Sequence, residues 1–216
     1  TIDDGFCGAD NPEGCMLKDV LRLLKSYNAH ATFFITGSHC DHTSKRDIDT
    51  LLANGHELAN HNMMDWPYIS YSEEEFAFDI DTTENILSQY RKTSPLWYRA
   101  PFGRINKIMQ KVIDDRKMNH VVCDAFANDT AIPDANWISK YILKRVKTGS
   151  IILIHMPEKG AFSNVSATRV LVFVEALVKC VELVRKYANS DVSGRQTTLP
   201  LGCCDNLITV DPVPPL

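Results

Sequence analysis

The chain has 216 residues, enough for one large domain, since α/β barrels of this length commonly run undivided. Its 44% hydrophobic and 23% charged residues are ordinary for a globular protein and exclude disorder. The formal charge of −4 gives no electrostatic case for nucleic acid or an anionic membrane, and no apolar run approaches the roughly 18 residues of a transmembrane helix.

The chain opens on "TIDDG", an apolar approach ending in two adjacent carboxylates, Asp3 and Asp4, before a glycine. The abrupt start predicts that most of a first strand is missing, with a leader segment lost before it. "MLKDVLRLLKSYN" has apolar residues at helical spacing, and "ATFFI" reads as a short buried strand. "RDIDTLLANGH" is helical up to the stop at Asn54-Gly55, and "HELAN" is the next strand. Ser72 and Glu75 form a capping-box signature, after which Phe76, Ile80, Thr83, Leu87 and Tyr90 share one helical face. "LWYRAP" reads as a strand halted by Pro101.

"INKIMQKVIDDRK" then predicts a helix and "HVVCDAF" a strand, followed by the helix "ANWISKYILKRVK" and the strand "SIILIH". The periodic stretch from Ala167 to Tyr187 is the last predicted helix, and the tail "DPVPPL" is irregular. No linker, repeat or low-complexity stretch divides residues 1–216, so a single domain is expected. Alternating strands and helices predict a parallel β/α fold, barrel or open sheet, with functional residues at the C-terminal ends of strands.

Seven cysteines are present, at positions 7, 15, 40, 123, 180, 203 and 204, and none forms the C-x-x-C pair of a structural zinc site. The odd count suits either several disulfides plus one free thiol or a truncated chain that has lost a partner cysteine. With the glycosylation sequons at Asn128 and Asn164, it points to a secreted or cell-surface protein.

The strand-end expectation selects a set of polar residues. Asp3 and Asp4 end the first strand, and the alternation of strand side chains predicts opposite directions for them. His61 and Asp65 in "HNMMD" are spaced i, i+4, which in a helical turn puts both on one face, as metal ligation requires. Arg99 ends "LWYR", Asp129 follows a strand in "FANDT", and His155 ends "ILIH". Each has a structural alternative: turn cap for Asp4, loop histidine for His61, helix cap for Asp65, ordinary ion pair for Arg99, core histidine for His155. Five such strand ends in succession favour the catalytic reading. A competing metal cluster is "HCDH", with His39, Cys40 and His42, while His56 is expected to make a structural hydrogen bond.

Taken in order, "TIDDG", "HNMMD", "RAPFG", "FANDT" and "ILIH" resemble the five motifs of the NodB-homology polysaccharide deacetylases, carbohydrate esterase family four, which include chitin deacetylases. The resemblance runs from residue 1 to about residue 190. Two places depart from the family pattern: Asp65 stands where the family usually has a second histidine, and Thr130 where it usually has a tryptophan.

The resemblance implies a distorted, incomplete (β/α) barrel that hydrolyses N-acetyl groups from an N-acetylglucosamine polymer such as chitin. Asp4, His61 and Asp65 would hold a divalent metal, zinc first and Mn²⁺ or Co²⁺ as alternatives, which acidifies bound water and polarises the acetyl carbonyl. Asp3 would be the general base, with Arg99 paired to it and fixing its direction. The Phe102 backbone N–H would help stabilise the oxyanion, and Leu153 would line the pocket for the acetyl methyl. His155 would protonate the departing amine, oriented by Asp129. Asp65 adds negative charge to the metal set, which weakens the Lewis acid and favours harder cations such as Mn²⁺. Rival readings are an enzyme acting on peptidoglycan or acetylated xylan, and a catalytically inactive carbohydrate-binding protein on the same fold. A carbohydrate polymer is the only partner expected, with neither nucleic acid nor membrane involved, and no signal bears on oligomeric state.

Overall fold

The computed structural model describes residues 1–6, 16–91, 95–132, 134–147 and 149–156. The predicted helix from Ala167 to Tyr187, the sequon at Asn164 and five of the seven cysteines lie outside them.

Among the described residues six strands form one parallel sheet: β1 (Ile2–Gly5), β2 (Thr32–Ile35), β3 (Glu57–Asn60), β4 (Leu96–Tyr98), β5 (Met118–His120) and β6 (Ile154–His155). Their spatial order is β5-β4-β3-β2-β1-β6, so the chain starts near one edge, winds steadily to the other and returns for β6. Five α-helices among the described residues accompany them: α1 (Leu17–Ser26), α2 (Lys45–Ala53), α3 (Glu73–Leu87), α4 (Lys107–Asp115) and α5 (Ala135–Leu143). Parallel neighbours require such crossovers, because no tight turn can reverse the chain twice.

Among the described residues the sheet does not close on itself, yet its edges are bridged. Residues 121–127 leave β5 and reach β6, where Ala125 pairs with Ile152 and Leu153 donates its N–H to the Ala125 carbonyl at 3.0 Å. Asp124 reinforces this bridge, accepting from the Ile151 N–H at 2.7 Å and the Ser150 hydroxyl at 2.9 Å. The result is a parallel α/β fold with an open, distorted barrel, as expected.

Strand alternation sorts the core. Phe33 points outward into the layer of α1, α2 and α5, packing with Leu24, Leu51 and Ile138. Phe34 points inward, with Ala59 and Trp97 from the neighbouring strands. A second outer cluster joins Phe76 and Ile80 of α3 to Met109, Val112 and Ile113 of α4. The capping box opens α3: Ser72 Oγ accepts from the Glu75 N–H, and the Glu75 carboxylate accepts from the Ser72 N–H. Phe76, Ile80, Thr83 and Leu87 are fully buried on its inner face, with Tyr90 packed at the margin.

Two sequence expectations shift. "HVVCDAF" is not a strand: β5 ends at His120, and residues 121–126 run as the irregular bridge across the barrel gap. Likewise "SIILIH" contributes only Ile154–His155 to the sheet ladder. In both, apolar residues are buried (Val121 and Ala125 in the first run, Ile152, Leu153 and Ile154 in the second), while the two segments meet each other only at the isolated pairing of Ala125 with Ile152.

Candidate active site

At the C-terminal mouth of the barrel lies a cleft of about 570 Å³, whose walls include eight of the nine expected site residues, while the ninth, Asp129, stands behind His155 and reaches the cleft through it. Strand alternation does not separate Asp3 from Asp4. Ile2 pairs with Phe33 and Gly5 with Ile35, so three steps on β1 match two on β2, a bulge centred on the aspartates. Asp4 takes φ 54°, in the left-handed region that Asp tolerates better than most residues. Both carboxylates therefore face the same cleft. Gly5 completes the turn, and a Cβ there would meet Ile35 Cδ1 at 2.8 Å.

His61 continues from β3, with its N–H on the Ile35 carbonyl at 3.0 Å. Residues 61–65 do not form the helical turn expected from the i, i+4 spacing. They run as an irregular loop, with Asn62 at φ 63°. The loop nevertheless brings His61 and Asp65 together, and ligand atoms of Asp4, His61 and Asp65 all lie within 4.8 Å of one another.

The donor set fits a cation. His61 Nδ1 lies 2.8 Å from the Arg99 carbonyl, which can only accept, so Nδ1 carries the proton and Nε2 presents a lone pair. That lone pair faces Asp4 Oδ1 at 3.5 Å, and this oxygen is buried without a hydrogen-bond partner. Two acceptors facing each other repel unless a proton or metal ion lies between them. Burial pushes the Asp4 carboxyl up to about 6, against the lowering effect of His61 and His155. Asp65 is the exposed member of the set.

Arg99 follows β4 and is buried, as is its partner Asp3. Nη1 donates to Asp3 Oδ1 at 2.5 Å and to the Thr1 hydroxyl at 2.9 Å, while Nε donates to the Val121 carbonyl at 3.1 Å. The guanidinium lies over the inward ring of Phe34, 4.1 Å from its centre, and the His61 ring meets the same aromatic edge-on. Desolvated cation–π contacts of this kind contribute about 2 kcal/mol. Phe34 is thus the floor on which the Asp3–Arg99 pair and the His61 ring rest.

Across the cleft, Asp129 holds His155 twice. Its Oδ1 lies 2.8 Å from His155 Nδ1, and its Oδ2 accepts the His155 backbone N–H at 2.8 Å. Burial pulls the imidazole pKa down, but the hydrogen bond and charge of Asp129, aided by Asp4 and Asp3, outweigh it and raise it to about 9. In register, His155 sits beside Asp3 across the β1–β6 ladder. Leu153 lines the cleft from the same strand, and Phe102, at φ 57° in the Pro101–Gly103 turn, stands exposed at its rim. The sequon residue Asn128 is also exposed in the wall, so a glycan there would occupy the mouth.

The sequence did not single out Phe34, His120, Val122, Cys123 or Phe126 as site residues. His120, Val122, Cys123 and Phe126 line the cleft, and the Phe126 ring lies edge-on to His155, 5.7 Å between centres. Their signal was hidden because residues 121–126 read as an ordinary strand. The competing "HCDH" segment forms a 3₁₀ turn, Gly37–His42, and brings no metal-ligand group together among the described residues. Cys40 is buried there as a free thiol, and Cys123 is likewise free. His56 is structural, its Nδ1 accepting from the Ala31 N–H at 3.1 Å.

Comparison with known proteins gives this geometry a lineage. Residues 1–121 match the polysaccharide deacetylase family model, a stretch that carries Asp3, Asp4, His61, Asp65, Arg99 and Phe102; Asp129 and His155 lie beyond it. A peptidoglycan-N-acetylglucosamine deacetylase of Bacillus cereus is 30% identical over 157 residues, 72% of this chain and 70% of that protein. Among solved structures, a family 4 acetyl xylan esterase from Clostridium thermocellum, in complex with cobalt, superposes with a TM-score of 0.69 at 25% identity, covering 86% of this chain and 82% of that one. A CE4 family pseudoenzyme from Bacillus anthracis shares the fold at TM-score 0.66 and 19% identity, covering 85% of this chain and 59% of that one. The chain belongs to the polysaccharide deacetylase family.

Proposed function

We propose that this protein is a metal-dependent deacetylase that removes N-acetyl groups from N-acetylglucosamine units of a cell-wall or chitin-like glycan, releasing acetate. The observation carrying this reading is the convergence of Asp4, His61 and Asp65 in one cleft with two hydrogen-bonded pairs, Asp3–Arg99 and Asp129–His155. A bound divalent cation supplies Lewis acidity, activating water and polarising the acetyl carbonyl.

The chain's own residues perform the remaining steps. Asp3, held by Arg99, takes the proton from the attacking water. His155, kept cationic by Asp129, gives a proton to the departing amine. Phe102 contributes its backbone N–H to the developing oxyanion, and Leu153 packs against the acetyl methyl. Asp65, the third ligand, makes the set two carboxylates and one imidazole and favours harder cations.

The N-acetylglucosamine unit is common to chitin and peptidoglycan, and similarity to the Bacillus cereus deacetylase supports that unit rather than one polymer. Such glycans lie outside the cell membrane, which accords with a secreted or surface protein. No helix among the described residues is long and apolar enough to cross a membrane.

The test is acetate release from chitin oligomers and from peptidoglycan by metal-stripped protein reloaded separately with Zn²⁺, Mn²⁺ and Co²⁺, with Asp3→Asn as control. Metal-dependent release that the mutant loses supports the reading, and the better polymer identifies the substrate. A folded protein that binds glycan but releases nothing with any metal would instead be an inactive carbohydrate-binding member of the family.

A further inference from the structure

The loop from His61 to Tyr68 carries two of the three prospective metal ligands but has no regular secondary structure of its own. Its conformation includes a left-handed residue, Asn62 at φ 63°, and its ligand Asp65 is exposed. Such a loop holds a fixed ligand geometry only if something outside it supplies the order that a helix or strand ladder would give.

One side chain does so. Asp79, on the second turn of α3, reaches back to the loop with both carboxylate oxygens. Oδ1 accepts from the Asn62 side-chain amide at 2.7 Å and from the Met63 backbone N–H at 3.0 Å. Oδ2 accepts from the Tyr68 hydroxyl at 2.7 Å, and that hydroxyl in turn accepts the Met64 N–H at 3.2 Å. Three consecutive residues between the two ligands, Asn62, Met63 and Met64, are therefore tied to one carboxylate, directly or through Tyr68. The other side of the loop is held as well: Tyr98 donates its hydroxyl to Asn62 Oδ1 at 2.8 Å, and Gly37 and Ser38 donate to the Asn62 and Met63 carbonyls at 2.8 and 3.0 Å.

Only an acceptor-only group suits this position. All three groups pointing at Asp79 are donors, so a carboxylate satisfies them together, whereas an amide would turn its NH₂ toward one of them. For Tyr68 that would compete with the Met64 N–H for the same hydroxyl oxygen and loosen the tie nearest Asp65.

We propose that Asp79 is a positioning residue for the metal centre: through Asn62, Met63 and the Tyr68 hydroxyl it presets the loop so that Asp65 converges with Asp4 and His61 before the cation arrives. This rests on the metal reading above and assigns Asp79 no contact with metal or substrate. Without the clamp, ordering the loop would be charged against metal binding, which lowers affinity while leaving the ligands themselves intact.

The experiment is a titration of the metal-free full chain with Co²⁺, followed by its visible absorption, for wild type, Asp79→Asn, Tyr68→Phe and Glu75→Gln. Glu75→Gln weakens the cap of the same helix without touching the loop and controls for general loosening of α3. Asp79→Asn and Tyr68→Phe are expected to weaken Co²⁺ binding roughly 10-fold or more, in the range seen when partners of metal ligands are removed, and Glu75→Gln to leave it unchanged. Tyr68→Phe retains the ring packing against Phe76, so the test survives if the Asp79 variant folds poorly. Wild-type affinity in both clamp variants, or an equal loss in Glu75→Gln, overturns the clamp alone. Failure of the wild type to bind Co²⁺ overturns the metal reading and the clamp with it.

Discussion

Asp129 grips His155 at two points, the ring Nδ1 and the backbone N–H, each 2.8 Å from a different oxygen of one carboxylate. The double contact fixes both the position of the strand end and the direction of the ring, so Nε2 is the free position of the imidazole. In the proposed role of general acid, an imidazole held this way would need no rearrangement during turnover.

The pH dependence follows from that grip. A general acid works while protonated, so activity should fall as pH rises through the His155 pKa, which lies near 9 with the cleft free of metal. A bound cation offsets the charge of Asp4 and moves this limb below 9. Asp129→Asn removes the largest raising influence, so the alkaline limb should shift toward 6.5, with turnover at pH 8 falling by up to about 30-fold. A kcat/KM profile from pH 5 to 10 measures both; an unmoved limb in the mutant would remove His155 from the role of acid.

Asp4 makes the metal-free protein sensitive in the opposite half of the range. Its folded pKa of about 6 lies above the ordinary aspartate value of 3.8, so folding favours the protonated carboxyl. The contribution is fully present below 3.8 and is lost as pH rises through 6, amounting to at most about 3 kcal/mol. Urea unfolding of metal-free wild type and Asp4→Asn between pH 4 and 7 should show a decline in the wild type that the mutant lacks. Added Zn²⁺ should restore stability to the wild type above pH 6.

Asp3→Asn should separate chemistry from metal binding. The substitution leaves Asp4, His61 and Asp65 in place, so metal affinity should stay within a few-fold while kcat falls by about 100-fold or more. It also leaves the buried Arg99 without its anion, at a stability cost on the order of 3 kcal/mol. Calorimetric metal titration beside acetate release distinguishes the two effects.

Replacing Asp65 by histidine removes one negative charge from the ligand set. Zn²⁺ should then gain over Mn²⁺, because imidazole suits the softer ion. The ratio of the two dissociation constants, wild type against Asp65→His, is the readout; an unchanged ratio would mean that Asp65 is not a ligand.

Phe34→Ala should unfold more easily, by about 3 to 5 kcal/mol, because it empties a fully buried position beneath both Arg99 and His61. Phe34→Leu, which fills most of that volume, should keep most of the stability but lose the cation–π contact. Urea midpoints for the two variants give the comparison.

Local pattern alone determined the alternation of strands and helices, the capped start of α3 and the polar group at each strand end. These depend on periodicity and on the next few residues, and so they are written in the order of the chain. Tertiary structure decided how those groups point. The β1 bulge, which turns Asp3 and Asp4 into one cleft, exists because Ile2 and Gly5 must pair with Phe33 and Ile35, residues about thirty positions away. The spacing of His61 and Asp65 suggested a helical turn, but their convergence is made in an irregular loop tied to Asp79 and Tyr98. The run from 121 to 126 has strand composition yet bridges an open barrel, because among the described residues it meets only the single pairing of Ala125 with Ile152. Side-chain direction at such places is set by which partners the rest of the fold brings near, and neighbouring residues in the sequence carry no record of them.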